Sequence, residues 1–261
     1  FASQITTFGN GGKLLVDVKD IAFTHEGDSA ALEVQFTLLR PSYDYRFTNV
    51  PGDQVIEASN GGTDTVRTTA NNYVLPLNVE HVRLEGANAL TAWGNSRNND
   101  MIGNDKANTL FGLAGNDRLF GGLGDDTLLA GSGNDVLGGS VGRDELWGGS
   151  GPDRFDYDFV EHSPSEKFFS GVDRIMDFSQ SQGDRIDFSA MDANQTASAP
   201  GSQDFIFIGP AAFTAPGQIR YELDEKFGET LVYANVDADL EEDATIVVNG
   251  LVPFSELNIL V

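Results

Sequence analysis

Two nine-residue segments, GGLGDDTLL at 121–129 and GGSGPDRFD at 148–156, are the clearest copies of a repeat that decides the fold of this chain. From residue 94 onward a small residue recurs at every ninth position, as Gly94, Gly103, Gly112, Gly121, Ala130, Gly139 and Gly148. Five residues after each stands a side-chain oxygen, from Asn99, Asn108, Asp117, Asp126, Asp135, Asp144 and Asp153. Seven residues after each stands a large apolar side chain, from Met101, Leu110, Leu119, Leu128, Leu137, Leu146 and Phe155.

This period predicts an all-β fold, a right-handed parallel β-roll with flanking β-strand caps. Each unit has a six-residue loop, GGxGxD, followed by a three-residue strand whose middle residue points inward. Glycine permits positive φ, so the loop backbone can turn sharply and direct its carbonyl groups at one point. Two units make one turn of the roll, and equivalent loops on the same edge stack about 4.8 Å apart.

Stacking brings the aspartate of one unit close to that of the unit two further on, and bare carboxylates at that spacing repel each other. A hard divalent cation held between them removes the conflict, and Ca²⁺ accepts about six to eight oxygen ligands. One edge carries Asn99, Asp117, Asp135 and Asp153, and the other carries Asn108, Asp126 and Asp144. The strongest predicted sites lie between Asp117 and Asp135, Asp135 and Asp153, and Asp126 and Asp144.

Three readings without calcium explain the repeat less well. A phosphate-binding glycine loop would need GxxxxGK[ST], which does not occur, and the local charge is negative. A flexible Gly/Ser linker would not carry leucines at a fixed period. A metal-free repeat would have to bury or stack its aspartates unpaired. The pattern therefore favours calcium.

The first two units depart from this pattern. Their fourth positions are Arg97 and Lys106 instead of glycine, and their sixth positions are Asn99 and Asn108 instead of aspartate. Because an amide brings no negative charge to a cation, we expect these units to form turns of the roll that bind calcium weakly or not at all.

The nonapeptide resembles the haemolysin-type calcium-binding repeat of the RTX family. The resemblance implies a module that holds about three to five Ca²⁺ ions. It also implies that each site takes carbonyl oxygens from positions two and four of the first loop and from positions one and three of the second. The implied carbonyls are Leu113, Gly115, Ala130 and Ser132 for Asp117/Asp135, Gly122, Gly124, Gly139 and Val141 for Asp126/Asp144, and Gly131, Gly133, Gly148 and Ser150 for Asp135/Asp153.

After Phe155 the period stops, and the segments VDRIMDF at 172–178 and GDRIDFS at 183–189 resemble the C-terminal region of serralysin-type secreted proteases. The resemblance implies that Asp177 and Asp184 help to close the last calcium site. The alternative is that both are solvated turn residues. Alternating or apolar segments predict five further strands, over 204–208, 218–223, 230–236, 245–248 and 257–261.

These signals divide the chain into four parts. Residues 1–43 are an upstream β tail or an N-terminal cap, with strand-like alternation over 13–18 and 31–38. Residues 44–93 resemble degenerate turns of the same roll, although a separate small β-domain is the alternative. Residues 94–156 form the repeat proper, and residues 157–261 form a C-terminal β cap. The end, FSELNILV at 254–261, resembles the uncleaved signal of type I secretion substrates or is an ordinary final strand.

The composition of the chain limits the classes of partner and of metal site that are compatible with it. The 40 acidic residues outnumber the 16 basic ones, so the net charge is −24, which disfavours nucleic acid and anionic membranes. Hydrophobic residues make up 40%, too many for a solvated acidic tail. The absence of cysteine excludes disulfides and thiolate metal sites. No apolar run is long enough to span a bilayer.

No catalytic motif is evident. The histidines His25, His81 and His162 have no metal-ligand spacing, and neither HExxH nor GxSxG occurs. Together with this absence, the resemblance to the RTX family implies a non-enzymatic, calcium-binding module of a protein that a Gram-negative bacterium secretes to its exterior or surface through a type I exporter. The module is expected to fold on extracellular calcium and to stabilise the larger protein, such as an enzyme, to which it is attached. The alternatives are the C-terminal part of an adhesin or surface-layer structural protein, or a polysaccharide-binding module of a lyase or epimerase. The possible ligand is a polysaccharide or a cell-surface group, and Trp93 and Trp147 are the aromatic residues that hint at such a groove.

Overall fold

The computed structural model describes residues 62–158 apart from residue 89, residues 171–193 and residues 203–261. Between 35 and 57 it describes the backbone of three short strands. The strand predicted over 13–18 and the first half of that predicted over 31–38 lie outside the described residues. No helix in the described part is long and apolar enough to cross a membrane.

Within these residues the chain forms almost only strands, with one short 3-10 helix at Glu256–Asn258. The strands are β1 (Gln35–Leu38), β2 (Asp44–Phe47), β3 (Gln54–Glu57), β4 (Thr65–Thr68), β5 (Tyr73–Val74), β6 (His81–Leu84), β7 (Thr91–Trp93), β8 (Asp100–Ile102), β9 (Thr109–Ala114), β10 (Arg118–Leu123), β11 (Thr127–Ser132), β12 (Val136–Val141), β13 (Glu145–Ser150), β14 (Arg154–Asp156), β15 (Asp173–Ile175), β16 (Arg185–Asp187), β17 (Ile206–Phe207), β18 (Gln218–Asp224), β19 (Glu229–Asn235), β20 (Ala244–Asn249) and β21 (Ile259–Leu260).

Consecutive strands of the repeat alternate between two sheets. One sheet has the order β2-β4-β6-β8-β10-β12-β14-β16-β21, and the other has the order β17-β18-β19-β20-β15-β13-β11-β9-β7-β5. Strands of the repeat pair in parallel, with Leu119 beside Leu137 and Leu128 beside Leu146. Equivalent residues two units apart are therefore neighbours, which confirms the all-β class and the parallel roll with two units per turn.

The apolar column of the repeat fills the space between the sheets. Met101, Leu110, Leu119, Leu128, Leu137, Leu146 and Phe155 are all fully buried. Their positions follow from strand geometry, since the middle residue of each strand points to one face and its neighbours point to the other. Burial of each such side chain stabilises the fold by about 1.5–3 kcal/mol.

The strands of the repeat are longer than predicted. Strands β9 to β13 each span six residues instead of three, because the first three residues of each loop continue the ladder. Gly131, for example, pairs with both Leu113 and Gly149. The prediction of a six-residue loop was wrong for this reason, and only positions four to six make the turn.

On the N-terminal side, irregular turns continue both sheets. Strand β4 pairs with β6 and β6 with β8 in one sheet, while β5 pairs with β7 and β7 with β9 in the other. Paired residues are 16 apart from Thr65 to His81 and 19 apart from His81 to Asp100, so the nine-residue period is lost while the sheets persist. This arrangement agrees with degenerate roll turns here; the four domain boundaries stay predictions.

On the C-terminal side, both sheets receive a covering strand. Antiparallel strands β18, β19 and β20 form a meander, and β20 pairs in parallel with β15. Strand β21 pairs in parallel with β16 and completes the other sheet. All five strands predicted from the sequence coincide with β17 to β21 to within two residues at each end. The segment that resembles an export signal thus also contains the final strand.

Candidate metal centre

The position-six aspartates form a column along each edge of the roll, held by hydrogen bonds from the main chain. The N–H of Asp117 donates to Oδ1 of Asp135 at 2.7 Å, and the N–H of Asp135 donates to Oδ1 of Asp153 at 2.9 Å. On the other edge, the N–H of Asp126 donates to Oδ1 of Asp144 at 2.7 Å. The members of all three predicted pairs are therefore adjacent.

Both columns continue beyond the last regular repeat. The N–H of Asp153 donates to Oδ1 of Asp184 at 3.0 Å, and the N–H of Asp144 donates to Oδ1 of Asp173 at 2.9 Å. The sequence reasoning named Asp184 but missed Asp173. The signal for Asp173 is the spacing in GVDRI at 171–175, which matches positions four, six and eight of the repeat after an insertion.

For most column aspartates, the second carboxylate oxygen finds no donor in the part of the chain that the structure describes. Oδ2 of Asp117, Asp126, Asp135 and Asp153 is buried and lacks a hydrogen-bond partner within the described residues. These four residues are at most 2% exposed. A buried carboxylate oxygen without a donor costs free energy unless an ion or a proton satisfies it.

The first glycine of a unit makes room for this carboxylate. A Cβ on Gly112 would lie 2.5 Å from Oδ2 of Asp117, and a Cβ on Gly148 would lie 2.5 Å from Oδ2 of Asp153. A side chain larger than that of alanine, which occupies position one as Ala130 in a single unit of the repeat, would therefore compete with the carboxylate for the same space. This contact gives a physical reason for the nine-residue recurrence of a small residue.

Burial raises the pKa of the column aspartates far above the ordinary value. The pKa rises to about 7 for Asp117, Asp144 and Asp153, and to about 8 for Asp126, mainly because burial disfavours the charged form. Backbone hydrogen bonds oppose this shift, and neighbouring aspartates add to it. The pKa of Asp135 is raised for the same main reason.

The donor set fits calcium. Within the described residues no group of three or more His, Cys, Asp or Glu side chains is placed to hold a metal, so each site would combine two carboxylates with main-chain oxygens. Hard oxygen ligands of this kind suit Ca²⁺ and not Zn²⁺ or copper. The orphaned oxygens of the aspartates are where such an ion would relieve the burial of charge.

Most of the predicted carbonyl ligands lie on paired strands, whereas Gly115, Gly124 and Gly133 lie in the turns that follow β9, β10 and β11. Paired rows are Leu113, Gly131 and Gly149, then Ala114, Ser132 and Ser150, and in the other sheet Leu123 and Val141. The carbonyls of Ser132, Val141 and Ser150 accept the N–H groups of Gly115, Gly124 and Gly133 at 2.9 Å, which leaves each a second lone pair. Position-one residues Ala130, Gly139 and Gly148 lie on the buried face. Their role as ligands stays a prediction.

Asp177 and Asp184 close the end of the roll through main-chain contacts. Asp177 accepts the N–H groups of Gly148 and Gly149 at 2.9 and 2.8 Å. Asp184 accepts those of Asp153 and Ser179 at 3.0 and 2.7 Å. Each of the four carboxylate oxygens therefore accepts one hydrogen bond. To bind calcium as well, an oxygen would have to use its second lone pair. The role of Asp177 and Asp184 as calcium ligands stays a prediction.

Leu113, at position two of its unit, has a φ of 81°, in the left-handed region that favours glycine. A side chain in this region costs about 1–2 kcal/mol, while glycine gives back part of the gain through the entropy of the unfolded chain. Because Leu113 is 49% exposed, replacement removes little packing. We expect Leu113→Gly to raise the unfolding free energy by about 0.5–1 kcal/mol in calcium-containing denaturant titrations.

The matched control is Leu123→Gly, one position further along the next unit. Leu123 is 47% exposed and is not among the described residues with positive φ. Glycine there should lower stability by about 0.5–1 kcal/mol, because only chain entropy changes. Equal losses for both variants would contradict the role assigned to φ at Leu113.

Comparison with known proteins supports the assignment of the repeat. Residues 93–128 and 120–155 match the RTX calcium-binding nonapeptide repeat (4 copies). No curated protein matches the chain. The match covers the regular repeat, and the resemblance of the C-terminal region to serralysins stays a prediction.

Two solved structures similar to this chain come from Azotobacter vinelandii. The AlgE6R2 subunit of mannuronan C5-epimerase is 22% identical to this chain in sequence, and the TM-score is 0.41. The match covers 66% of this chain and 92% of the AlgE6R2 chain. The AlgE6R3 subunit of the same enzyme is also 22% identical to this chain, with a TM-score of 0.29. That match covers 63% of this chain and 78% of the AlgE6R3 chain.

Proposed function

We propose that this chain, whose residues 93–155 are RTX calcium-binding nonapeptide repeats, is the calcium-dependent folding module of a larger protein that a Gram-negative bacterium exports through a type I exporter. The observation that carries this proposal is the pair of buried aspartate columns, in which four Oδ2 atoms lack donors within the described residues, those of Asp117, Asp126, Asp135 and Asp153. A closed roll requires either a proton on these oxygens or a positive charge beside them. Calcium supplies that charge.

The same physics separates the inside of a cell from its surroundings. Where calcium is scarce, repulsion between neighbouring aspartates within each column keeps the aspartate-bearing turns open and suited to passage through a narrow exporter. Outside, millimolar calcium matches sites with Kd of about 10⁻⁴–10⁻³ M. Binding then contributes free energy directly to folding, and three ions would change the formal charge of −24 to about −18.

In this proposal the chain carries out no reaction and stabilises the protein to which it is joined. Each turn contacts only its neighbours, so calcium binding at one turn favours closure of the next. The C-terminal strands β20 and β21, which pair with β15 and β16, provide a covered end against which the repeat can close.

A row of outward-facing side chains favours polysaccharide contact as a second candidate function. Register places Trp93 beside Phe111, Phe111 beside Leu129, and Leu129 beside Trp147. The rings of Trp93 and Phe111 are parallel to within 1°, with centroids 5.3 Å apart. Flat apolar faces of this kind can pack against sugar rings. A neutral polysaccharide suits the strongly acidic chain better than an anionic one.

The test of the principal proposal is far-UV circular dichroism of the chain titrated with CaCl₂, with MgCl₂ as the control. We expect a cooperative gain of β-structure at sub-millimolar to millimolar calcium, because two-carboxylate sites with many carbonyls suit the larger ion. Magnesium should produce no such gain. A repeat that is already fully folded in EGTA would contradict the folding switch, although the roll itself would stand.

A further inference from the structure

Two loops of the roll share a sequence that sets them apart from the aspartate loops. Loop 94–99 reads GNSRNN and loop 103–108 reads GNDKAN, with asparagine at positions two and six and a basic residue at position four. The later loops have aspartate at position six, glycine at position four and no asparagine at position two. The two asparagines and the basic residue occur together in both loops, so the two loops represent one variant of the repeat.

In loop 94–99 the two asparagine amides bond to each other and to the preceding turn. Oδ1 of Asn99 accepts the N–H of Asn95 at 2.7 Å, and Nδ2 of Asn99 donates to the carbonyl of Glu80 at 3.2 Å. Nδ2 of Asn95 donates to the carbonyls of Pro76 and Val79, both at 2.8 Å. Amide donors therefore meet the carbonyl oxygens of this edge.

Loop 103–108 repeats this network on the opposite edge. Oδ1 of Asn108 accepts the N–H of Asn104 at 2.7 Å, and Nδ2 of Asn108 donates to Oδ1 of Asn104 at 3.2 Å. Nδ2 of Asn104 donates to the carbonyl of Asn88 at 3.0 Å. Asn104 and Asn108 are both buried. Two independent copies of one geometry make an accidental arrangement a poor explanation.

A basic side chain adds positive charge to the first loop. Nη2 of Arg97 donates to Oδ1 of Asn78 at 2.5 Å, and Nη1 lies 3.6 Å from a carboxylate oxygen of Glu80. Asn99 also donates its N–H to Oδ1 of Asp117 at 2.7 Å, which links this loop to the first aspartate of the edge. The contrast is sharp, because Oδ2 of Asp117 has no hydrogen-bond partner within the described residues.

We propose that loops 94–99 and 103–108 are closed by their own side-chain amides in place of a cation, so that this end of the roll keeps its structure without calcium. Each neutral amide supplies both donors and an acceptor, and it brings no charge that needs a counter-ion. Dependence on calcium then begins at Asp117 and Asp126. Because repeats contact only their neighbours, the metal-free end offers paired strands on which calcium-bound turns can stack.

Hydrogen exchange of the full chain, with and without calcium, tests this boundary. In EGTA we expect peptides covering 94–108 to exchange at least about tenfold more slowly than peptides covering 117–153. Calcium should slow exchange in the second region far more than in the first. Equally fast exchange of both regions in EGTA would overturn the proposal. The EGTA measurement involves no metal, so its failure is distinguishable from failure of the proposed calcium-dependent function.

A pair of neighbouring substitutions tests the amides themselves. Asn99→Asp removes the Nδ2 donors, and we expect exchange over 94–108 in EGTA to accelerate by about tenfold or more. Asn98→Asp adds the same charge at an exposed position and retains an oxygen for the N–H of Asn116, which Asn98 accepts at 2.8 Å. This control should leave exchange unchanged. Equal effects of the two variants would overturn the role of the amides.

Discussion

Asp135→Asn is expected to abolish two calcium sites at once and to lower the unfolding free energy of the calcium-loaded chain by about 5 kcal/mol. Asp135 belongs to both predicted pairs on its edge, with Asp117 before it and Asp153 after it. At free calcium about one hundredfold above Kd, each site contributes about 2.7 kcal/mol. Asparagine retains an oxygen for the N–H of Asp117, which Asp135 accepts at 2.7 Å, so the main-chain ladder should survive.

Denaturant titration at about 10 mM CaCl₂, together with calcium stoichiometry from equilibrium dialysis, measures this effect. The control is Asp125→Asn, which removes the same charge one residue before a column member. The Asp125 side chain is 61% exposed and pairs at 3.5 Å with exposed Arg143, so its loss should change stability little. Similar losses for the two variants would show that net charge, and not a site at Asp135, governs stability.

Acid is expected to replace calcium in part. Burial raises the pKa of Asp117, Asp144 and Asp153 to about 7 and that of Asp126 to about 8, above the ordinary value of 3.8. At a pH between the ordinary pKa of 3.8 and the raised pKa of about 7 to 8, the folded chain binds more protons than the unfolded chain. Stability in EGTA should therefore be greatest at the acidic end of this window and should fall as the pH rises toward 8. In calcium the trend weakens, because the ion binds the deprotonated carboxylates.

Circular dichroism and thermal unfolding in EGTA between about pH 5 and pH 8 measure this trend. The overall charge of −24 also favours the folded state at lower pH, so a paired control is needed. Asp126→Asn removes one raised pKa and should flatten the pH dependence, whereas Asp105→Asn, which removes a charge at an exposed position outside the columns, should not. Stability in EGTA that rises from pH 5 to pH 8 would contradict the assigned protonation of the columns.

Much of the roll follows from local sequence because its repeat is local. A nine-residue period places the apolar column, the small residue and the side-chain oxygen at fixed positions, and strand alternation then selects the buried face. The length of the strands could not be predicted from the nine-residue period. Residues such as Gly131 read as loop by composition, but hydrogen bonding to the strands on either side extends the ladder through them.

The continuation of a column past the insertion also needed the tertiary structure. Asp173 lies 29 residues after Asp144, so no nine-residue register connects them. The pairing of β13 with β15, which sets Leu146 beside Ile175, brings Asp173 under Asp144. A sequence can show that GVDRI resembles half a repeat, but only strand pairing decides which edge it joins.

By itself the sequence determined the all-β class, the parallel roll with two units per turn, the buried leucines and the aspartates that stack, because each depends on a periodic choice of residue. The tertiary structure alone decided how the irregular loops are satisfied. In the sequence, loop 94–99 could be recognised only as a repeat unit with weak or no calcium binding. In the structure, the side-chain amides of Asn95 and Asn99 donate to the carbonyls of Pro76, Val79 and Glu80. Those carbonyls belong to a turn without the nine-residue period, so no local pattern predicts that they meet an amide instead of a cation.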